Sequence, residues 1–167
     1  MIRLDTMNLR KNEMKHAPGQ TGALFSGLPL IINSNGNLRH IFKSEPDSTL
    51  PFSEIYFSEV NPKSIKAWKH HSLQTQNISV AFGQIRVICV FKKPAENIFE
   101  VFDMNSEELY GVLTIPTGIY YALINRTNVS TILLNTTDIV HNPVESHSLP
   151  LDYPDFQSLI SEYRIHK

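Results

Sequence analysis

From Leu28 onward the chain alternates short apolar runs with clusters of turn residues, and the runs have the length and β-branched content of strands. The spacing predicts strands over Leu28–Asn33, Asn37–Phe42, Glu54–Val60, Ser64–Lys69, Asn77–Phe82, Ile85–Phe91, Ile98–Asp103, Leu109–Ile115, Tyr120–Ile124 and Val129–Leu134. Turn signals such as Ser34-Asn35-Gly36 and Asn61-Pro62 separate them. Many short strands at this spacing argue for an all-β sandwich or barrel. Ile78, Val80 and Phe82 alternate with polar or small residues, whereas Ile85 to Phe91 is almost wholly apolar; with Gly83-Gln84 between them, the two runs are expected to form a hairpin. Only the tail reads as helical. Over residues 155–163, Phe156, Leu159, Ile160 and Tyr163 share one side, and Pro154 and Asp155 suit a first turn. Residues 1–20 lack a sustained apolar period and are expected to be an N-terminal extension to a domain covering 21–167.

A chain of 167 residues can bury one good core. With 41% hydrophobic and 19% charged residues it is too apolar for wholesale disorder. A net charge of -1 and the lack of a Lys/Arg run give no case for a nucleic-acid partner. No apolar stretch approaches the roughly 18 residues that span a membrane, and no signal-peptide core opens the chain, so no membrane partner and a cytoplasmic location are expected. The lone Cys89 sits inside an apolar strand and is expected to pack as a small core residue.

Two blocks carry the candidate chemistry. The first is His71-(x)4-Gln76-(x)6-Gly83, and the second is Gly111-(x)4-Pro116-x-Gly118-(x)2-Tyr121-(x)3-Asn125. Residues two apart on a strand share a face, so Lys69 and His71 are expected to point the same way, as are Gln74 and Gln76. A polar cluster on an inward face is costly unless its members meet water, each other or a ligand. Pro116 and Gly118 form the turn that sends one strand into the next. Tyr120 is expected on the face opposite Tyr121, in core or interface. Asp138 and His141, three apart, could form an orienting pair or lie in a solvated loop.

These blocks resemble the two motifs of the cupin superfamily, which implies a cupin-type double-stranded β-helix, a jelly-roll barrel, here with a short C-terminal helix. The positions that hold metal ligands in that superfamily carry Lys69, His71, Gln76 and Tyr121. An ammonium, one imidazole, an amide and a phenol are a poor donor set for zinc, iron or nickel. No metal and no other cofactor are therefore expected, and a metal-dependent oxygenase ranks behind the alternatives below.

The segment Ile65-Lys66-Ala67-Trp68-Lys69-His70-His71 is more specifically similar to the RmlC-like cupins, the branch that includes dTDP-4-dehydrorhamnose 3,5-epimerases and dTDP-keto-hexose 3,4-ketoisomerases. Position by position, the resemblance sets Lys66 in the place of a phosphate-binding arginine, Lys69 in that of a catalytic histidine, His71 in that of a second histidine and Gln76 in that of a ketoisomerase glutamine. Asn135 to Pro143 looks like the epimerase segment with Thr-Asp followed by two tyrosines, whose places hold Ile139 and Val140. The likeness runs from about Glu54 to Leu151. It implies a metal-independent isomerase that moves protons beside the carbonyl of a dTDP-4-keto-6-deoxyhexose, a nucleotide-sugar substrate in polysaccharide biosynthesis, and a homodimer. The catalytic set it implies is His71, Tyr121 and Lys69, with Lys66, His70, Gln74, Gln76, Asn77, Asp138 and His141 as substrate-binding residues. Lys69 could act as a desolvated base or form a Schiff base, or His71 could move the proton while Lys66 and Lys69 hold diphosphate. A relative that binds a sugar nucleotide or another small molecule without turnover is the alternative.

Overall fold

The computed structural model describes residues 19–42 and 52–161. Twelve strands are described: β1 (Leu24–Gly27), β2 (Leu30–Ile31), β3 (Leu38–Arg39), β4 (Glu54–Val60), β5 (Ser64–His71), β6 (Gln76–Phe82), β7 (Gln84–Phe91), β8 (Ile98–Asn105), β9 (Gly111–Ile115), β10 (Tyr120–Asn125), β11 (Thr131–Thr137) and β12 (Ser146–Ser148). A 3-10 turn (Pro154–Phe156) leads into helix α1 (Gln157–Ser161). Pro154 opens the turn because its fixed φ suits a helix start and its missing N–H has no partner to lose there. The expected helical position Tyr163 and most of the expected N-terminal extension lie outside the described residues.

Two five-stranded antiparallel sheets, in the orders β1-β9-β6-β11-β4 and β12-β5-β10-β7-β8, face each other as a jelly-roll barrel. Alternation fills the space between them. Ile78, Val80, Leu113, Ile115 and Leu133 from the first sheet meet Val87, Cys89, Tyr121 and Leu123 from the second. The second sheet is also covered on its outer side, where Trp68, Ile88, Val90, Ala122 and Ile124 pack beneath Phe156 and Ile160. Burial on both faces is why Val87 to Val90 is a continuous apolar run, since each of those four positions needs a side chain that leaves water, while Arg86 is half-buried and Phe91 exposed. Trp68 and Phe156 meet at 4.9 Å in an edge-on pair, and full burial of two large apolar side chains in α1 and its lead-in contributes roughly 1.5–3 kcal/mol each.

The expected hairpin at Gly83 does not form. β6 pairs with β9 and β11 in the first sheet, and β7 pairs with β8 and β10 in the second, so Gly83 is a corner where the chain changes sheets. Its φ of +86° and the 3.0 Å that would separate an added Cβ from Thr131 Oγ1 both favour glycine there. Two short strands, β1 and β12, fall outside the expected set. β4 runs against its own hydrophobic pattern. Tyr56 and Ser58 face the barrel interior, where Tyr56 meets Gln76 and Ser58 meets Asn135, while Ile55 and Phe57 point outward at 51% and 68% exposure.

Candidate active site inside the barrel

His71 ends β5, opposite Ser146 of β12. The turn of the second block holds it by the backbone, because Gly118 N–H donates to the His71 carbonyl at 2.8 Å. Gly118 has a φ of +81°, so the turn that makes this bond needs its glycine. The His71 ring is buried, with Nδ1 2.6 Å from Oε1 of Glu145. Glu145 immediately precedes β12 and is 3% exposed. Its Oε2 accepts the Leu73 and Gln74 amide protons at 3.1 and 3.2 Å, and its own carbonyl accepts from Ser72. Burial alone would raise the Glu145 carboxyl, but the His71 bond and the two amide donors outweigh it and hold the group below its ordinary value. An ionised carboxylate therefore faces Nδ1, which fixes that nitrogen as a donor and leaves Nε2 with the lone pair.

On the side of the ring away from Glu145, Gln76 Nε2 lies 3.4 Å from His71 Nε2 and donates to Gln74 Oε1 in a short contact. Gln74 Nε2 donates to the Ile139 carbonyl at 2.8 Å, and the Tyr56 hydroxyl donates to Gln76 Oε1 at 3.3 Å. Tyr121 lies nearly parallel to His71 with ring centroids 6.3 Å apart. Burial pushes the Tyr121 phenol well above its ordinary range, and the neighbouring Tyr56, Cys89 and Glu145 push it the same way. Tyr56 is also raised by burial, against the bond to Gln76, and with 36% exposure it is the most open of the aromatic members. A phenol held so firmly protonated can donate a proton but does not carry charge near neutrality.

The structure brings His71, Gln74, Gln76 and Tyr121 together and disperses the rest of the expected set. In the β10–β5 register Lys69 stands opposite Tyr121 and Lys66 opposite Leu123, with a bulge between, so both lysines share the inward face yet are exposed. His70 lies on the reverse face, against Tyr120 at 4.4 Å and His147 at 5.8 Å, because neighbours on a strand point oppositely; it is not placed to bind beside His71. Burial, then His147 and His71, lower its pKa. Asn77 is likewise on the outer face, where it accepts from Thr114 Oγ1 at 2.7 Å. Asp138 and His141 do not form a pair. Asp138 Oδ1 caps the Thr75 amide at 2.8 Å, and the His141 amide donates to Glu54 while its ring lies in an exposed loop. Gln74 is 1% exposed with both ends of its amide engaged, so it backs the site instead of lining it. Glu145 and Tyr56 were absent from the expectations. Glu145 is 74 residues from its histidine, in the turn before a strand too short to show a period; the signal for Tyr56 was its place in a strand where Glu54, Tyr56 and Ser58 alternate with Ile55 and Phe57.

Among solved structures, the chain is 34% identical to a dTDP sugar isomerase from Desulfovibrio desulfuricans G20, over 80% of this chain and 87% of that one, with a TM-score of 0.73. The chain belongs to the RmlC-like family of sugar-nucleotide isomerases and epimerases. The same fold is found in the dTDP-4-dehydrorhamnose 3,5-epimerase of Bacillus anthracis str. Ames, at 14% identity over 80% and 81% of the two chains with a TM-score of 0.68. It recurs in NovW, a 4-keto-6-deoxy sugar epimerase of Streptomyces spheroides, at 11% identity over 94% and 80% with a TM-score of 0.71. No protein-family model matches the chain, and no match is found among the curated proteins. Seen as an RmlC-like protein, the barrel has its first histidine place filled by the exposed Lys69, so the imidazole with a buried carboxylate partner is the second, His71. The two tyrosine places after Asp138 hold Ile139, which serves through its carbonyl, and the exposed Val140.

Proposed function

We propose that the protein is an isomerase of a dTDP-4-keto-6-deoxyhexose-type sugar nucleotide, with Nε2 of His71 as the base that removes a proton from the carbon beside the keto group. The buried His71–Glu145 pair carries this reading, because it leaves a lone pair on Nε2 and provides a fixed negative charge that stabilises the imidazolium once the proton has moved. Removal of that proton gives an enolate and an imidazolium; delivery of the Tyr121 hydroxyl proton to the opposite face of the ring inverts the carbon, after which water takes the proton from His71 and resupplies one to the phenolate, whereas delivery of the His71 proton to a different atom gives the ketoisomer. Between the two bases that the sequence leaves open, His71 is favoured over Lys69 because it is buried beside an oriented carboxylate while Lys69 is exposed. Lys66 and Lys69 on the same inward face suit the diphosphate as point charges. The likeness to a dTDP sugar isomerase supports the nucleotide-linked substrate. We further propose that residues 21–167 act as one cupin domain, that the enzyme works without a metal in the cytoplasm on surface-polysaccharide precursors, and that it is a homodimer. Ile55, Phe57 and Phe82 are exposed on the outer face of the first sheet, and β4 is an edge strand, so a second copy seated there would remove an apolar patch from water.

The test is deuterium incorporation from heavy water into a dTDP-4-keto-6-deoxyhexose. Uptake at a carbon beside the ketone supports proton abstraction, and its position separates epimerisation from ketoisomerisation. Binding of the sugar nucleotide with no uptake at any pH points to the non-catalytic alternative.

A further inference from the structure

The hydrogen-bond chain behind His71 has a direction that one end dictates. The Ile139 carbonyl can only accept, so the Gln74 atom 2.8 Å from it is the amide nitrogen. Gln74 therefore turns Oε1 toward Gln76, and the Gln76 atom against it is Nε2. That leaves Gln76 Oε1 for the Tyr56 hydroxyl at 3.3 Å. The same Gln76 Nε2 lies 3.4 Å from His71 Nε2, at the long end of hydrogen-bond range. Gln76 thus presents a donor to the nitrogen that must accept a proton. Glu145, on the far side of the ring, favours the imidazolium, whereas an N–H facing Nε2 disfavours it, because a protonated Nε2 would point hydrogen at hydrogen.

We propose that Gln74 is a positioning residue: anchored on the Ile139 carbonyl, it keeps the Gln76 amide turned donor-first toward His71 and so keeps Nε2 unprotonated, its lone pair met only by a contact at the long end of hydrogen-bond range that an arriving substrate proton displaces. The inference rests on His71 being the base. Without Gln74 the Gln76 amide can turn over at little cost, since the Tyr56 hydroxyl accepts as readily as it donates, and the turned amide offers Oε1 to a protonated Nε2. The titratable groups around the ring are Glu145 before β12, Tyr121 on β10, Tyr56 on β4 acting through Gln76, Lys69 two residues back on β5, and His70 on the reverse face; replacing Gln74 removes none of them.

Gln74→Met keeps the length of the side chain and removes both polar ends. In the full-length protein, the acid-side midpoint of the pH–rate profile for deuterium exchange should rise by about one pH unit, the worth of one net hydrogen bond to the cation. The rate deficit, about fivefold at the old midpoint and about tenfold well below it, should vanish at alkaline pH, with KM changed less than about twofold because Gln74 does not touch substrate. A loss of equal size at every pH, or an unmoved profile, overturns the proposal. The His71 ring resonance, identified by its disappearance in His71→Asn, should titrate at higher pH in Gln74→Met whether or not turnover is detected, and an unchanged titration also overturns it. Should Gln74→Met not fold, Gln76→Glu presents only acceptors toward Nε2 at unchanged size and must raise the same midpoint; failure to do so is equally decisive. Wild-type exchange in His71→Asn would instead defeat the assignment of the base, an outcome that none of the Gln74 results can mimic.

Discussion

Replacing Glu145 by glutamine changes one heavy atom and sets three hydrogen bonds against one another. In the native protein Oε1 accepts from His71 Nδ1 at 2.6 Å, and Oε2 accepts from the amides of Leu73 and Gln74 at 3.1 and 3.2 Å. A glutamine has one acceptor end. Turning its NH2 toward the two backbone amides would leave two buried donors unpaired, at roughly 1–3 kcal/mol each. Turning it toward Nδ1 changes the tautomer and sets the new Nε2 hydrogen against the Gln76 amide across a contact of 3.4 Å, which leaves no backbone donor unpaired, so the variant should keep the amide bonds and force His71 to carry its proton on Nε2. A base that is already protonated cannot abstract, and the same kind of swap behind the histidine of a Ser-His-Asp triad lowers kcat about 10⁴-fold. We expect Glu145→Gln to lower the proton-exchange kcat by about 10²–10⁴-fold, with a smaller change in KM. Replacing a charge-assisted set of bonds by a neutral one should also cost roughly 1.5–3 kcal/mol of stability, or about 3–10 °C in Tm for a chain of this size. This stability difference has a pH signature. The Glu145 carboxyl is held below its ordinary value, so its contribution is present above the unfolded-state value of about 4.3 and is lost as pH falls through the lower folded-state value. Thermal melts of the two proteins should therefore differ at pH 6, draw together as pH falls below about 4.3, and coincide once the folded-state carboxyl is itself protonated. Exchange within about threefold of wild type in a folded Glu145→Gln protein would refute the role given to the carboxylate, and a gap in Tm that persists unchanged into strong acid would refute the ionic account of its stability.

Four further outcomes are expected. Tyr121→Phe should fold, since the phenol makes no hydrogen bond that the packing needs, and should lower product formation about 10²-fold or more while deuterium exchange by His71 persists; equal loss of both would remove Tyr121 as the returning acid. Phe156→Ala should cost about 3–5 kcal/mol, read as a Tm lower by about 10 °C or more, because the ring is fully buried against Trp68, Tyr120 and Tyr153; a change under 2 °C would count against α1 as the cover of the second sheet. Light scattering at micromolar concentration should give a dimer that Phe57→Lys shifts toward monomer, and a monomeric wild-type protein would rule out the outer-face interface. Elemental analysis should find no transition metal in molar proportion, given the donor set Lys69, His71, Gln76 and Tyr121; about one zinc, iron, nickel or manganese per chain contradicts it.

The strands and both motifs were legible because their signals are local: β6 and β7 carry their periods within eight residues, and Pro116-Thr117-Gly118 is its own turn. What stayed hidden was pairing. An apolar run such as Ile85 to Phe91 reads the same whether its second face meets a neighbouring strand's partner or a helix from the far end of the chain, so nothing near Gly83 could distinguish a hairpin from a corner between sheets. The site divides along the same line. His71, Gln76 and Tyr121 stand at motif positions, but Glu145 reaches His71 only after β12 has added to the edge of β5 in a three-residue ladder. Such a short pairing is fixed by what the chain does before and after it, and the carboxylate that orients the imidazole depends on that register. A one-residue slip of β12 would turn the face presented at Ser146 and carry the segment that holds Glu145 out of line with Nδ1. The backbone bonds from Ser72 to the Glu145 carbonyl and between Trp68 and Leu149 clamp the ladder at both ends. Register at the edge of the barrel is thus part of the proposed catalytic apparatus, because it decides whether the buried histidine has a carboxylate behind it.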